Sequence, residues 1–445
     1  MATRVWKGKA KDVLQVDSIT IANTWAQGDT CTITCDGIDF VVTIGTLVTT
    51  AQVATTIKQA FNGETLTDTS ATCSPTIAQG GAQLIPHFAE AVASIDSAAT
   101  SVVVLTARTA GKPHTFTASE STAGTGTATL ANTTVATGKH FFSNADNWTG
   151  DTVPVDNDTI VFNSGSIDCK YGLSPAIQPA AFIKTKTYTG KIGLPEVNTD
   201  NSSKPYNEYR TKYLTFDDNT VTCTYDLETG VGTGSTLIRI DAGAGQSIFN
   251  VYGYGSRLIT GQPTTLLLGT HASNVLNVQQ GDVGVAFFQG ETSTLVTIRC
   301  GNGTSSGATI VCGTTVTLTS STIDVCGGTL TINTATASGD IDISSGGTVN
   351  IFGTGAHASI DVQNGTCNYA SSGTLTTLAV GSAGTFDKSV DLRAVTITNA
   401  INMYKGSTFL DPNKSVTASG GYKLNGCIAD DVTLDVGTDR TYAVT

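Results

Sequence analysis

Between Thr322 and Lys388 one short pattern occurs four times. The four copies read Ile323-Asp324-Val325, Ile341-Asp342-Ile343, Ile360-Asp361-Val362 and Leu378-Ala379-Val380. Their first residues are 18, 19 and 18 positions apart. A second marker keeps step with the first and reads Gly328-Thr329-Leu330, Gly347-Thr348-Val349, Gly365-Thr366-Cys367 and Gly384-Thr385-Phe386. Two independent markers with one spacing indicate an internal structural repeat.

A repeat of this length is too short for a propeller blade and is typical of one turn, or rung, of a β-solenoid. One rung cannot bury its apolar side alone, but stacked rungs pair their backbone N–H and C=O groups at the ~4.8 Å spacing between strands. Because side chains alternate along a strand, the apolar first residues should stack inside and the aspartates should point outward. The predicted internal column consists of Ile323, Ile341, Ile360 and Leu378.

The composition of the whole chain also favours β-structure. Among 445 residues there are 48 Gly, only 2 Met and 13% charged residues. This composition is poor in the residues that form long helices. The net charge of −12 without a basic run argues against a nucleic-acid groove. No stretch approaches the ~18 apolar residues of a membrane span, and no apolar run follows the first charges, so we expect neither membrane insertion nor an ordinary signal peptide.

The ten cysteines are scattered and form no Cys-x-x-Cys motif or cluster with histidine at metal-ligand spacing. Several fall at inward strand positions, where a thiol behaves as a small apolar group. We therefore expect free buried thiols and assembly in a reducing cytosol.

Residues 1–139 are predicted to form a small α+β module, one helix on a β-sheet, that serves as an anchor. Asp36-Gly37 predicts a hairpin in which Cys35 faces Ile38, Ile33 faces Phe40 and Cys31 faces Val42. A helix near residues 50–62 should be capped by Thr49 or Thr50, bury Val53, Ile57, Ala60 and Phe61, and end at Gly63. Further strands are expected at Val16–Ile21, Ser101–Ala107 and His114–Ala118.

Residues 140–158 are predicted to be a linker and the N-terminal cap of the solenoid. They contain Asn147-Trp148-Thr-Gly150, then Pro154 and Asp158. This pattern resembles the segment with which many bacterial and phage β-solenoids begin, and the preceding module resembles modules at the base of tailed-phage virion proteins. The resemblance extends from the N-terminus to the end of this segment and implies no catalytic residue. Trp148 should cover the open end of the core, and Pro154 should prevent pairing beyond it.

The β-solenoid is predicted over residues 159–410, with rungs that keep the spacing of the repeat until it slips after Phe386, where Ile397, Met403-Tyr404 and Phe409-Leu410 are out of step. A C-terminal cap is predicted over 411–445, with closing strands at Tyr422–Leu424, Val432–Val436 and Tyr442–Val444. The segment Leu194–Arg210 is a polar insertion that should leave the solenoid as a surface loop. Tyrosines in and after it suggest either a platform for sugar rings or a contact with another subunit, and we favour the subunit contact. They are Tyr206, Tyr209, Tyr213, Tyr252 and Tyr254.

The sequence contains several weak candidates for chemistry. Stacked Asp324, Asp342 and Asp361 either bind a cation or, as we favour, form a solvated column. Acid–base or calcium roles are conceivable for paired aspartates, but turn and loop positions explain them better. The pairs are Asp156 with Asp158, Asp217 with Asp218, and Asp430 with Asp431. The isolated histidines are His87, His114, His140, His271 and His357. The glycine-rich pieces at residues 243–245 and 253–255 lack the lysine of a phosphate loop. We predict no catalytic, cofactor-binding or metal-binding residue.

These features predict a non-enzymatic structural protein of a tailed-phage virion, made in the host cytoplasm. The N-terminal module would bind capsid or tail proteins, and the shaft would project as a capsid decoration, head fibre or tail appendage, with host glycans as candidate ligands. A homotrimer is expected because symmetry multiplies weak attachment. The alternatives are a carbohydrate-active β-helix enzyme of the depolymerase or lyase type, and a bacterial surface adhesin.

Overall fold

The structure is a computed structural model that describes residues 1–76, 81–217, 222–228, 237–253, 261–303, 307–318, 320–389 and 391–436. The chain is mainly β, with 43% strand and 7% helix, and a β-solenoid of about 12 turns occupies residues 159–435. We call this solenoid the shaft.

The N-terminal part contains nine strands and the one α-helix of the described residues. The strands are β1 (Thr3–Val5), β2 (Val16–Ala22), β3 (Thr30–Cys35), β4 (Ile38–Thr43), β5 (Thr72–Ser74), β6 (Ala91–Ile95), β7 (Val102–Ala107), β8 (Thr117–Ser121) and β9 (Thr127–Thr134), and helix α1 is Thr50–Asn62. Short 3-10 turns lie at Gly81–Leu84, Phe88–Glu90, Ala145–Asn147, Thr149–Asp151 and, near the C-terminus, Ala429–Asp431.

The shaft contains the remaining strands. Its first half comprises β10 (Thr159–Phe162), β11 (Ala181–Lys184), β12 (Val197–Asn198), β13 (Tyr206–Asn207), β14 (Leu214–Thr215), β15 (Cys223–Leu227), β16 (Ile238–Asp241), β17 (Ser247–Tyr252), β18 (Thr265–Leu268), β19 (Val275–Val285), β20 (Ser293–Thr294), β21 (Thr297–Cys300), β22 (Ala308–Cys312) and β23 (Val316–Thr317). Its second half comprises β24 (Thr322–Cys326), β25 (Thr329–Ile332), β26 (Ser338–Ser344), β27 (Gly347–Ile351), β28 (His357–Val362), β29 (Gly365–Tyr369), β30 (Leu375–Val380), β31 (Gly384–Asp387), β32 (Val395–Ile397), β33 (Ile401–Met403), β34 (Thr408–Leu410), β35 (Val416–Ala418), β36 (Tyr422–Leu424) and β37 (Thr433–Asp435).

The shaft has two main walls of parallel strands, and the predicted internal column is confirmed in one of them. The strand register places Ile323, Ile341, Ile360 and Leu378 directly over one another, and each is at most 1% exposed. The column continues in both directions through apolar side chains. Its twelve members are Ile160, Phe182, Tyr225, Phe249, Leu276, Ile298, Ile323, Ile341, Ile360, Leu378, Ile401 and Tyr422.

The rung length is less uniform than the sequence repeat suggests. Column members keep the spacing of the repeat only between Ile323 and Leu378. All other intervals are longer, and the longest separates Phe182 from Tyr225, across the insertion. The paired strands keep their register across these longer intervals. The segments around Met403 and Phe409, which the sequence pattern placed out of step, pair in register with the preceding rung.

The stack also continues past residue 410, where a separate cap was predicted. Strands β35, β36 and β37 pair in parallel with β32, β33 and β34, so they form one more rung. The expected strands at Tyr422–Leu424 and within 432–436 are therefore present as shaft strands. The expected strand at 442–444 lies outside the described residues.

The N-terminal strands form two four-stranded antiparallel sheets, in the orders β6-β7-β2-β9 and β5-β4-β3-β8, around a second apolar core. The predicted hairpin register of Cys31, Ile33 and Cys35 is confirmed residue by residue. The helix is confirmed as well: Thr49 caps it, and Gly63 ends it with a left-handed φ of 70°. The strand expected at His114–Ala118 lies instead at Thr117–Ser121.

The predicted N-terminal module, residues 1–139, starts too early in the sequence, because its first strand belongs to the shaft. Thr3–Val5 (β1) pairs in parallel with Thr159–Val161 of β10. Pro154 was expected to leave that edge unpaired, but β1 covers it. Residues 13–137 lie between this N-terminal part of the shaft and the segment that carries Trp148, and we call them the bulb.

Helix α1 has 13 residues, and no helix of the described part of the chain has the length and apolar character required to cross a membrane.

Candidate functional site

The first rung of the shaft is closed by a cluster of four aromatic rings. Trp148 is fully buried, as the sequence predicted, and its ring lies 5.1 Å from Trp6, 4.9 Å from Phe142 and 5.8 Å from Phe162. Its indole N–H donates to the carbonyl of Phe142 at 2.7 Å. The cluster gives the first rung an apolar cover and fixes the segment that carries the bulb.

The polar residues of the same sequence motif hold this cover in place. The amide of Asn147, fully buried, donates to the carbonyls of Gly138 and Phe141 at 2.8 Å and accepts from the N–H of Ala10 at 2.8 Å. Asp158 accepts from the N–H of Ala2 at 2.6 Å and from Arg4 Nε at 3.2 Å. The motif therefore ties the N-terminus of the chain to the first rung.

Two adjacent chain crossings connect the bulb to this cover. Val13 and Thr137 form an antiparallel bridge, and the N–H of Val13 donates to the carbonyl of Thr137 at 2.8 Å. Asp12 accepts from the N–H of Lys139 at 3.0 Å. The chain thus passes between bulb and shaft in two adjacent segments that are joined by this bridge.

A third contact is made by the insertion in the shaft, which we call the strap and define as residues 194–212. Its strands β12 and β13 form an antiparallel hairpin, and the N–H of Leu194 donates to the carbonyl of Lys212 at 2.9 Å. The hairpin reaches back over the bulb. Two of the tyrosines predicted to contact another subunit, Tyr206 and Tyr209, lie against His87 of the bulb, with ring centroids 4.5 and 5.6 Å away.

The carboxylate of Glu90 is the centre of the contact between strap and bulb. Its side chain is 11% exposed and accepts from Lys112 Nζ at 2.6 Å. It also accepts from the hydroxyl of Tyr206 and from the guanidinium of Arg210, both in the strap. Glu90 therefore joins one cation of the bulb to two donors of the strap.

The guanidinium of Arg210 uses its remaining donors in the same cluster. Nε donates to the carbonyl of Pro113 at 2.7 Å, and Nη1 donates to Glu208 at 2.8 Å. The side chain of Glu208 is fully buried and is held further by Asn198 at 2.9 Å. Because each buried charge has a partner, this polar cluster avoids the cost of an isolated charge in an apolar environment.

The edge of the cluster is more open to solvent. Lys112 Nζ bonds Asp200 at 2.7 Å, and the Asp200 side chain is 61% exposed. Burial alone would raise the pKa of Asp200, but the Lys112 ammonium outweighs burial and holds that pKa below its usual value. Burial lowers the pKa of His87, which favours its neutral form beneath the tyrosine rings.

At its other end the strap is bound to the wall of the shaft. Glu196 accepts from Lys212 and from Arg239, both at 2.6 Å. The side chain of Arg239 is 1% exposed and lies over the rings of Tyr213 and Phe288, at 5.3 and 5.0 Å. Tyr213 thus also packs within the chain, against the shaft.

Bulb, shaft and strap together enclose a cleft of about 490 Å³. The bulb contributes Pro113 and Thr115, the strap contributes residues 209–211, and the shaft contributes Ser143 and residues 170–175. The lining includes the rings of Tyr171 and Tyr209 and several hydroxyl groups. A volume of this size is within the range of small-molecule sites.

The predicted aspartate column exists on the outer face of the shaft. Asp324, Asp342 and Asp361 are in register, and partial burial, then the nearby Asp361 and Asp324 carboxylates, raise the pKa of Asp342. The column extends into a ladder of amides and charges over the preceding rungs. Its contacts are Asn250 to Asp226 at 2.8 Å, Asn277 to Asn250 at 2.8 Å, Arg299 to Asn277 at 3.2 Å and Arg299 to Asp324 at 3.5 Å.

Among the described residues, the paired aspartates do not face each other across a cleft. Asp156 accepts from the N–H of Gln178 at 2.9 Å, whereas Asp158 binds the N-terminal strand as above. Asp431 accepts from the N–H of Ile428 at 3.1 Å and pairs with Lys405. These acids hold turns. Asp218 lies outside the described residues, so its pair with Asp217 is untested.

The histidines are dispersed, and each makes separate local contacts. His114 Nε2 bonds Asp17 at 2.8 Å inside the bulb, and His357 Nδ1 bonds the hydroxyl of Ser338 at 2.6 Å inside the shaft. His140 Nδ1 bonds the carbonyl of Asp168, and His271 Nδ1 accepts from the N–H of Ser273. Gly243 turns a corner with φ of 63°, whereas residues 254–255 lie outside the described part.

The sequence contained a signal for the strap that composition averages hide. The fraction of charged residues in the strap is far higher than the 13% of the whole chain. Such a composition indicates ion pairs with other parts of the chain. The charged residues of the strap are Glu196, Asp200, Lys204, Glu208, Arg210 and Lys212. The bulb partner Glu90 carried no such signal, because its role depends on a fold that brings remote parts of the chain into contact.

In the residues that the structure describes, no group of three or more His, Cys, Asp or Glu side chains is placed to hold a metal ion. Comparisons with family models, with curated proteins and with solved structures found no match. The candidate functional site is therefore argued from the geometry of the chain alone.

Proposed function

We propose that this chain is a structural protein of a tailed-phage virion, in which the bulb anchors the chain to capsid or tail and the shaft projects from it. The observation that carries the proposal is the position of the bulb beside the first rung of the shaft. One end of the shaft is closed by the aromatic cover of Trp6 and Trp148 and carries the bulb. Such a chain is an anchored rod, and the shaft can serve as a capsid decoration, head fibre or tail appendage.

The dimensions of the rod give the first test. Twelve rungs at about 4.8 Å correspond to a shaft of roughly 55–60 Å. Negative-stain electron microscopy of the purified protein should show rods of this length, or bundles of them, with density for the bulb at one end. Globular particles without an axis would contradict the rod.

Location on a particle needs a second experiment. Phage particles from cells that carry the gene are labelled with an antibody against the shaft and imaged. We expect label at a constant position on head or tail. Label that stays with the bacterial surface would support the adhesin instead, and label absent from both would remove the virion proposal while leaving the rod untouched.

Trimeric assembly is part of the proposal because weak attachment is strengthened by symmetric repetition. The shaft supplies a few large apolar side chains for a lateral contact, with Phe352 48% and Leu392 80% exposed. Light scattering after size-exclusion chromatography measures the molar mass. A trimer has about three times the 45.7 kDa of the chain, and a monomer at high concentration would rule out a stable trimer.

A carbohydrate-related function is the second candidate, and the cleft between bulb, shaft and strap favours it. The tyrosine rings and hydroxyl groups of the lining are suited to sugar rings. Binding of oligosaccharides without cleavage would make the chain a glycan-binding fibre. Cleavage of oligosaccharides by the purified protein would instead support the enzyme.

A further inference from the structure

We infer that the strap is a lock that holds the bulb in one orientation on the shaft, and that Glu90 is the bulb residue on which the lock depends. The inference concerns the chain alone and does not require the virion proposal. Its starting point is the connection between bulb and shaft. The chain passes between bulb and shaft in two adjacent segments that meet in a single bridge between Val13 and Thr137, and an isolated pair of extended segments is only marginally stable.

The strap can transmit this restraint because both of its ends are held by charged contacts. At the shaft end, Glu196 of the strap bonds the buried Arg239 of the shaft and Lys212 of the strap, both at 2.6 Å. On the bulb, Glu90 bonds Lys112 at 2.6 Å and accepts from Arg210. The hairpin of β12 and β13 between these ends makes the strap a single unit, so a movement of the bulb must break one of the two charged contacts.

Glu90 is more important than the other acids of the cluster because it alone bonds cations of both bodies. Glu208 lies in the strap and bonds Arg210 of the same strap. Asp200 bonds Lys112 across the junction, but its side chain is 61% exposed and its pair is screened by water. Removing the charge of Glu90 would leave Lys112 and Arg210 buried with one partner fewer, which is far more costly.

A second contact supports the same direction of closure. Lys204 of the strap donates to the backbone carbonyl of Gln83 in the bulb, and the side chain of Gln83 is itself held by Arg108 at 2.8 Å. The strap therefore contacts the bulb on both sides of the tyrosine rings. The cleft described above has three walls only while this contact is closed, because residues 209–211 form one of them.

The test uses trypsin on the full chain in the native state. The bond after Arg210 is protected while its guanidinium is buried, so its cleavage rate reports opening of the lock. We expect Glu90→Gln to raise this rate about tenfold or more, because a buried pair loses one charge. The matched control Asp200→Asn removes an exposed charge of the same cluster and should change the rate less than about twofold.

Hydrogen exchange separates opening of the lock from unfolding of the bulb. In Glu90→Gln, exchange should rise in the strap and stay unchanged in helix α1 and in strands β26–β29. A variant on the strap side, Tyr206→Phe, removes one donor to Glu90 without altering the bulb, and it should raise the cleavage rate by about two- to fivefold. The inference is overturned if both variants leave cleavage after Arg210 unchanged, or if exchange in α1 rises as much as in the strap.

Discussion

The backbone N–H of Val13 donates to the carbonyl of Thr137 at 2.8 Å, and this pair marks where the chain leaves the shaft and returns to it. Residues before the pair supply β1, which covers the edge of the first rung, and residues after it supply the aromatic cover. The bulb is therefore inserted into the cap of the shaft. A shaft whose own first and last described rungs come from outside the bulb should not need the bulb to fold.

Replacing residues 14–136 by a short Gly/Ser linker tests this relationship. We expect the shaft to keep its β-sheet circular dichroism and an unfolding midpoint close to that of the shaft in the full chain. Removing residues 1–12 as well should destabilise the shaft by about 3–5 kcal/mol, because the packing of Trp6 is lost. Loss of the shaft in the first variant would show that bulb and shaft fold as one unit.

Shortening a side chain of the internal column should lower the free energy of unfolding in proportion to the burial of that side chain. Ile341 is fully buried between Ile323 and Ile360, so Ile341→Ala should lower the free energy of unfolding by about 2–4 kcal/mol, measured by urea denaturation. The exposed Thr376 of the same wall provides the control, and Thr376→Ala should change it by less than about 0.5 kcal/mol. Equal effects of the two substitutions would contradict a continuous core.

The parts of the fold that sequence predicted are those that short-range rules determine. The hairpin at Asp36-Gly37 has a fixed register once the turn is known, and the predicted pairing of Ile33 with Phe40 is observed. The column from Ile323 to Leu378 follows from alternation and from a constant repeat length. In both, the decisive residues lie within one repeat of each other.

Sequence failed where the decisive partner is remote. Nothing local indicates that Thr3–Val5 pairs with Thr159–Val161, because the whole bulb separates the two segments in the sequence. The strap was predicted as an insertion, but its contact with His87 was not, because His87 lies in the bulb, far away in the sequence. Rungs longer than the sequence repeat escaped a search at fixed spacing, since the interval between paired strands varies in length without a change of strand register.

The glycines that mark the repeat should be required by close approach of backbones. A Cβ on Gly365 would lie 2.4 Å from the carbonyl oxygen of Gly347 in the rung below, and a backbone oxygen cannot move aside cheaply. Gly365→Ala should therefore cost about 1–3 kcal/mol in the free energy of unfolding. Gly307 has no atom within 4 Å of its Cβ position, so Gly307→Ala is the matched control and should be neutral or slightly stabilising.

The buried His357 should make the shaft sensitive to acid. Its side chain is 3% exposed with Nδ1 bonded to Ser338, and burial lowers its pKa from 6.5 to about 4. The unfolded chain thus binds a proton at higher pH than the folded chain. The stabilisation is complete above pH 6.5, is lost as the pH falls towards 4, and levels off below that value. At 1.36 kcal/mol per pKa unit it amounts to about 3 kcal/mol.

This contribution can be separated from that of the many carboxylates by comparing pH profiles of two histidine variants. His357→Leu removes the titrating group and places an apolar side chain over Leu375, its neighbour in the next rung. The difference in unfolding free energy between pH 7 and pH 4 should shrink by about 3 kcal/mol relative to the parent chain. His271→Gln, in a corner loop, should leave that difference unchanged. If His357→Leu keeps the full loss on acidification, the neutral state of His357 contributes nothing to the shaft, and the acid sensitivity arises from other groups.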